Sequence, residues 1–274
     1  YTTLFRSCGV AWQNNCYNQP GYTKFYYASD MDFRQVLPEM KRKPVLYLAG
    51  DSTAQSYHES ERPQTGWGEK LVDALEAENC WKEAHRDSSP FSQEMSYETR
   101  HIIVDNCAMA GRSSRSFREE GRLEDIKNQM KSGDYLLIQF GHNDAAAEKK
   151  ERYVPLETFG ESLMEYIRVA REKKAYPILI SSICLRPCLA NEQGENAKID
   201  ALLPKYAEEM KKLADKENIP YVDMLGITRK ACAKAGEEQT AVWYREDNVH
   251  LQEAGAQLYA HFVAEEIKKL IGKE

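Results

Sequence analysis

From Pro44 onward the chain alternates short apolar runs with amphipathic segments, and this alternation restricts its folding more than any other feature. Val45 to Ala49, His101 to Asn106, Tyr135 to Phe140, Pro177 to Ile183 and Ile219 to Val222 are mostly apolar and end in turn residues or charges. Runs of this kind read as strands buried on both faces. Between them lie helical patterns. Gly66 to Asn79 places Trp67, Leu71 and Leu75 on one face, and Thr158 to Lys174 does the same with Phe159, Leu163, Tyr166, Ile167 and Ala170. Thr158 and Glu161 have the spacing of a capping box. Pro204 to Asn218 repeats the pattern, and a last helix carries Tyr259, Phe262, Val263, Ile267 and Leu270. Strands alternating with helices predict βαβ units, hence an α/β fold with a parallel sheet covered on both sides.

The 274 residues suffice for one large domain with an appendage, here an extension over residues 1–43 followed by the main domain over residues 44–274. The extension stands outside the strand-helix rhythm and is rich in aromatics, among them Tyr1, Phe5, Trp12, Tyr17 and Phe33. It reads either as an arm laid over this domain or a neighbouring chain, or as the remnant of a β-rich accessory domain. A formal net charge of -6, with no Lys/Arg stripe interleaved with aromatics, makes nucleic acid an unexpected partner. No run of 18 apolar residues occurs, so no transmembrane helix or membrane partner is expected. Residues 1 to 20 lack the apolar centre of a signal peptide, although a chain beginning at Tyr1 is also compatible with a removed leader. Seven cysteines, an odd number, fit a reducing compartment, and the expected location is cytoplasmic with secretion as the alternative. Cys184 and Cys188 are not spaced as CxxC and have no histidine nearby, so neither a metal nor a cofactor is expected.

In a parallel α/β sheet the ligand site lies beyond the carboxyl ends of the strands. Three polar, glycine-containing loops meet there: Gly50-Asp51-Ser52, Asn106 to Gly111, and Gly141-His142-Asn143-Asp144. A serine on a glycine turn at a strand end can expose its hydroxyl above the sheet, as a nucleophile requires; a serine there can equally cap a helix. Near the far end of the chain stands Asp247-Asn248-Val249-His250. If this segment opens the last helix, Asp247 lies close enough to bond the His250 imidazole and leave its other nitrogen for Ser52. Ester cleavage also needs donors to the oxyanion, and the candidates are the Ser52 amide, the Gly111 amide and the Asn143 side chain. Asp51 and Asp144 read as carboxylates that brace their loops. His142 is a candidate substrate contact or a hydrogen-bonded structural histidine. Arg112 and Arg115 could grip an acidic sugar or simply bond acidic neighbours. Trp67 reads as core, whereas Trp243 and Tyr244 are candidates for a sugar platform.

"GDST", "NCAMAGRSSRSF", "GHND" and "DNVH", in this order, resemble the four sequence blocks of the SGNH (GDSL-type) hydrolases. "GRSSRSF" and "TGWGEKL" are similar to the rhamnogalacturonan acetylesterase branch. The resemblance runs from Val45 to the C-terminus and implies a flavodoxin-like three-layer sandwich with a five-stranded parallel sheet. It also implies metal-free ester hydrolysis with Ser52, Asp247 and His250 as triad and Ser52, Gly111 and Asn143 as oxyanion donors. The GxSxG elbow of the other large serine esterase fold is absent. The implied activity is removal of O-acetyl groups from plant cell-wall polysaccharides or oligosaccharides, pectic or xylan, through an acetyl-enzyme. An acetylated carbohydrate is therefore the expected partner, with Arg112, His142 and Trp243 as expected contacts. A lipid or thioester hydrolase on the same fold, and a carbohydrate-binding relative without catalysis, are the alternatives.

Overall fold

The computed structural model describes residues 42–76, 91, 93–99, 101–187 and 194–271. The expected N-terminal extension therefore lies almost wholly outside the described residues. Among those described, the chain runs β1 (Val45–Gly50), α1 (Trp67–Leu75), β2 (Met95–Glu98), β3 (Ile103–Asn106), α2 (Ser114–Glu119), α3 (Arg122–Gln129), β4 (Tyr135–Gln139), α4 (Leu156–Glu172), β5 (Tyr176–Ile180), α5 (Glu195–Glu217), β6 (Tyr221–Val222), α6 (Met224–Ala241) and α7 (Glu253–Ile271).

One sheet holds the strands in the order β2-β3-β1-β4-β5-β6. The five expected strands are all present and pair in parallel, giving the flavodoxin-like order. A sixth strand, β2, was not expected and pairs antiparallel with β3 at the sheet edge. Its sequence, Met95-Ser96-Tyr97-Glu98, has one fully buried position, Tyr97, so it lacks the continuous apolar run that marks the interior strands. β1 is buried along its whole length because helices cover both faces. Leu46, Leu48, Leu137, Ile138 and Leu179 form the centre of the core with no measurable exposure. Helices α1 and α7 pack against each other, and α4 packs against α5.

Two helix starts differ from the sequence reading. α4 begins at Leu156 after Pro155, so Thr158 lies within its first turn, where its hydroxyl donates to the Pro155 carbonyl at 3.2 Å instead of capping the helix. α5 begins at Glu195, well before Pro204, and carries that proline in its interior. A proline at this point removes the N–H that would bond the carbonyl of Asp200. The Arg229 guanidinium takes that place, donating to the Asp200 carbonyl at 3.1 Å. The stretch before Asp247, which shows no strong pattern in sequence, is the second half of α6.

Candidate active site

The parallel strands reverse their winding between β1 and β4, and a crevice opens at such a switch point. The loop after β1 brings Ser52 there and the loop after β4 brings His142 and Asn143. β1 ends at Gly50, and the turn that follows over Ser52 to Ala54 is fixed by the buried Asp51 carboxylate. Its Oδ1 accepts from the Thr53 amide at 2.9 Å and the Thr53 hydroxyl at 2.8 Å. The Tyr57 hydroxyl donates to the Ser52 carbonyl at 2.7 Å, holding the far side of the loop. The N-terminus of α1 leans on the same loop, since a Cβ at Gly66 would lie 2.2 Å from the Gln55 carbonyl oxygen. That close approach explains the first glycine in "TGWGEKL", while Trp67 is fully buried in the core as expected.

His250 Nε2 lies 3.0 Å from Ser52 Oγ, and His250 Nδ1 lies 2.7 Å from Asp247 Oδ2, across a separation of 198 residues between serine and histidine. The Asp247 to His250 segment does not open the last helix; α7 starts at Glu253. Instead Asp247 Oδ1 accepts from the amides of Val249 and His250, each at 2.9 Å, while Asn248 takes a φ of 61°. This tight turn leaves the second carboxylate oxygen facing the imidazole. Burial raises the Asp247 carboxyl, but the bonds from the His250 imidazole and from these two amides outweigh it and hold the group well below its ordinary range. It is therefore ionised and ready to orient the histidine.

Gly111 has a φ of 77°, a conformation open to glycine at no steric cost, and this turn faces the crevice. The neighbouring Ala110 amide is bound to Gln55 Oε1 at 2.6 Å, which ties the Gly111 loop to the serine loop. Among the described residues the amides of Ser52 and Gly111 have no protein acceptor. Asn143 donates one side-chain N–H to the Arg112 carbonyl at 2.9 Å, leaving its other N–H for a ligand. These groups line one cavity of about 350 Å³ together with Ser52, Asp247 and His250.

The buried Asp144 fastens the Asn143 loop to the start of α2, accepting at Oδ1 from the Ser114 amide at 3.0 Å and the Ser114 hydroxyl at 2.5 Å. Burial pushes its carboxyl up to about 7 against those bonds. Asp51 behaves oppositely. Burial raises it too, yet the His142 ring and the two Thr53 donors bring it below its ordinary value. His142 lines the cavity and donates from Nε2 to the Ile183 carbonyl at 2.9 Å, with Nδ1 3.6 Å from Asp51 Oδ2. It is thus the hydrogen-bonded structural histidine of the two readings, and its place in the cavity wall keeps it within reach of a ligand.

Two expected contacts stand elsewhere. Arg112 is bound through Nε to both carboxylate oxygens of Glu120 at 2.9 and 3.0 Å, and through Nη1 to the Ala110 carbonyl at 2.8 Å; it braces the loop and does not line the cavity. Trp243 also lies away from the cavity, buried edge-on against Tyr259 with ring centroids 6.3 Å apart, and Tyr244 is buried beside it. The cavity wall is instead completed by residues that no motif singles out, chiefly Lys149, Arg152, Leu185, Asn196 and Ile199. The only signal in sequence is that Lys149 and Arg152 follow the "GHND" loop. Among the described residues no cluster of His, Cys, Asp and Glu could hold a metal ion, and Cys188 lies outside them.

With this geometry in view, the likenesses to known proteins fall into place. Over 246 residues the chain is 35% identical to the rhamnogalacturonan acetylesterase RhgT of Bacillus subtilis, covering 84% of this chain and 93% of that protein. It is 26% identical to the rhamnogalacturonan acetylesterase of Emericella nidulans, covering 79% and 81%. The fold matches that of Axe2, an acetylxylan esterase from Geobacillus stearothermophilus, with a TM-score of 0.58 at 20% identity, over 83% of this chain and 96% of that one. The profile of the GDSL-like lipase/acylhydrolase family matches residues 46–263, from the second residue of β1 into the last helix, and the chain belongs to that family.

Proposed function

We propose that the protein is a carbohydrate O-acetylesterase working through an acetyl-enzyme. The observation that carries the reading is the Ser52, His250, Asp247 chain, with links of 3.0 and 2.7 Å, opening onto a cavity that also presents Gly111 and Asn143. Ser52 Oγ attacks the acetyl carbonyl carbon and passes its proton to His250 Nε2. Charge then grows on the carbonyl oxygen, where the Ser52 and Gly111 amides and the Asn143 side chain can donate to it without reorganising. Collapse expels the sugar alkoxide, which takes the proton from His250, and a water activated by the same nitrogen releases acetate. Asp247 keeps the imidazole in the tautomer that leaves Nε2 able to accept.

A carbohydrate rather than a lipid is the proposed substrate because Lys149, Arg152, Asn196 and His142 interrupt the wall, where an acyl chain would need continuous apolar lining. The names of the two relatives, which act on rhamnogalacturonan, support a pectic glycan ahead of xylan. A cytoplasmic enzyme finishing imported oligosaccharides fits the cysteine usage. The test compares wild type with Ser52→Ala on 4-nitrophenyl acetate and on acetylated pectic and xylan oligosaccharides. The variant should lose about four to six orders of magnitude in kcat. Wild-type turnover in the variant would mean that Ser52 is a structural cap and the mechanism is wrong.

A further inference from the structure

Arg152 is the cation in the cavity wall that its own surroundings leave poorly compensated. Its side chain retains 19% exposure, its Nε is buried without a hydrogen-bond acceptor, and the nearest carboxylate, on the exposed Glu151, is 4.0 Å from that nitrogen. Among the described residues the one hydrogen bond its side chain makes is long, from Nη1 to the Gly111 carbonyl at 3.5 Å. The other basic groups nearby are satisfied. Lys149 is paired with Glu195 at 3.0 Å, and Arg112 is held by Glu120. A guanidinium taken partly out of water with so little return is costly unless a ligand completes it. Its planar fork matches a carboxylate bidentately. Its position is also specific, because Nη1 lies 3.1 Å from where a Cβ on Gly111 would stand, against the residue whose amide faces the developing oxyanion.

We infer that Arg152 reads the carboxylate of a uronic acid, carried on the acetylated sugar or its neighbour, so that the site selects acidic over neutral acetylated glycans. The inference rests on the esterase reading above and adds to it the residue that recognises the acidic sugar. It also transfers to Arg152 the role that the sequence offered to Arg112 and Arg115.

The experiment measures kcat/KM for acetate release from an O-acetylated, uronate-bearing pectic oligosaccharide and from the same oligosaccharide with its carboxylates methyl-esterified. Wild type should prefer the acidic form by about ten- to hundred-fold, the worth of one charge-assisted contact. In Arg152→Gln the ratio should fall towards one, and in Arg152→Lys, which keeps the charge but not the fork, it should be intermediate. General damage to the site would lower both substrates together and leave the ratio intact, which would overturn the inference, as would a wild-type ratio of one. Cleavage of 4-nitrophenyl acetate with no acetate from either oligosaccharide would overturn the glycan reading itself, and this inference with it.

Discussion

At the scale of single residues, Asp144, five positions beyond the end of β4, shows how a buried carboxyl can be structural and yet set a pH dependence. Its Oδ1 is saturated by Ser114, while Oδ2 is buried with no partner, a place suited to a proton. Folding raises its affinity for that proton, from an ordinary value of 3.8 to about 7. Between these values the folded chain binds more protons at this site than the unfolded chain, so its contribution to stability is full below the lower value and is lost as pH rises through the upper one. Asp247 has the opposite sign, and its contribution is lost as pH falls below the ordinary carboxylate range, so the two effects occupy different windows. Asp144→Asn removes the titration. The variant should lose much of the drop in urea midpoint that wild type shows between about pH 5 and about pH 8. An unchanged drop would mean that Asp144 stays ionised in the fold.

At the scale of elements, α5 illustrates why a boundary set by proline can mislead. Proline favours the first turn of a helix, which is why the sequence places a start at Pro204, but α5 runs through it because Arg229 on α6 supplies the missing donor to Asp200. The same guanidinium meets the Asp200 carboxylate at 3.1 Å. Arg229→Ala should cost about 1 kcal/mol of stability in wild type. In a Pro204→Ala background, where the residue 204 amide can bond the carbonyl itself, the cost should shrink, giving a coupling of about 0.5 kcal/mol or more. Strict additivity in denaturation experiments would show that the carbonyl does not depend on Arg229. The edge strand β2 has no clear signal in sequence: pairing on one side with partial exposure does not demand the continuous apolar run that marks β1 and β4.

At the scale of the whole molecule, the buried sheet carries the candidate site at its carboxyl edge. Leu137, fully buried in β4, pairs with Leu48 on one side and Ile178 on the other, below the loops that carry Ser52 and Asn143. Leu137→Ala should lower stability by about 2 to 5 kcal/mol in urea titrations. Turnover per folded molecule should stay near wild type, because the loops above are fixed by their own hydrogen bonds; a parallel collapse of kcat in the folded protein would show that the core sets the triad geometry directly. The sequence alone determined the parallel α/β fold, the three loops at one sheet edge and the pairing of Asp247 with His250, since periodicity and short spacing are local properties. Tertiary structure alone decided that Arg112 pairs with Glu120 and Trp243 packs against Tyr259, and that Arg152, Asn196 and Leu185 wall the cavity. Those outcomes depend on which distant segments the winding brings together, and a side chain's neighbours across the fold leave no imprint on the residues beside it in the chain.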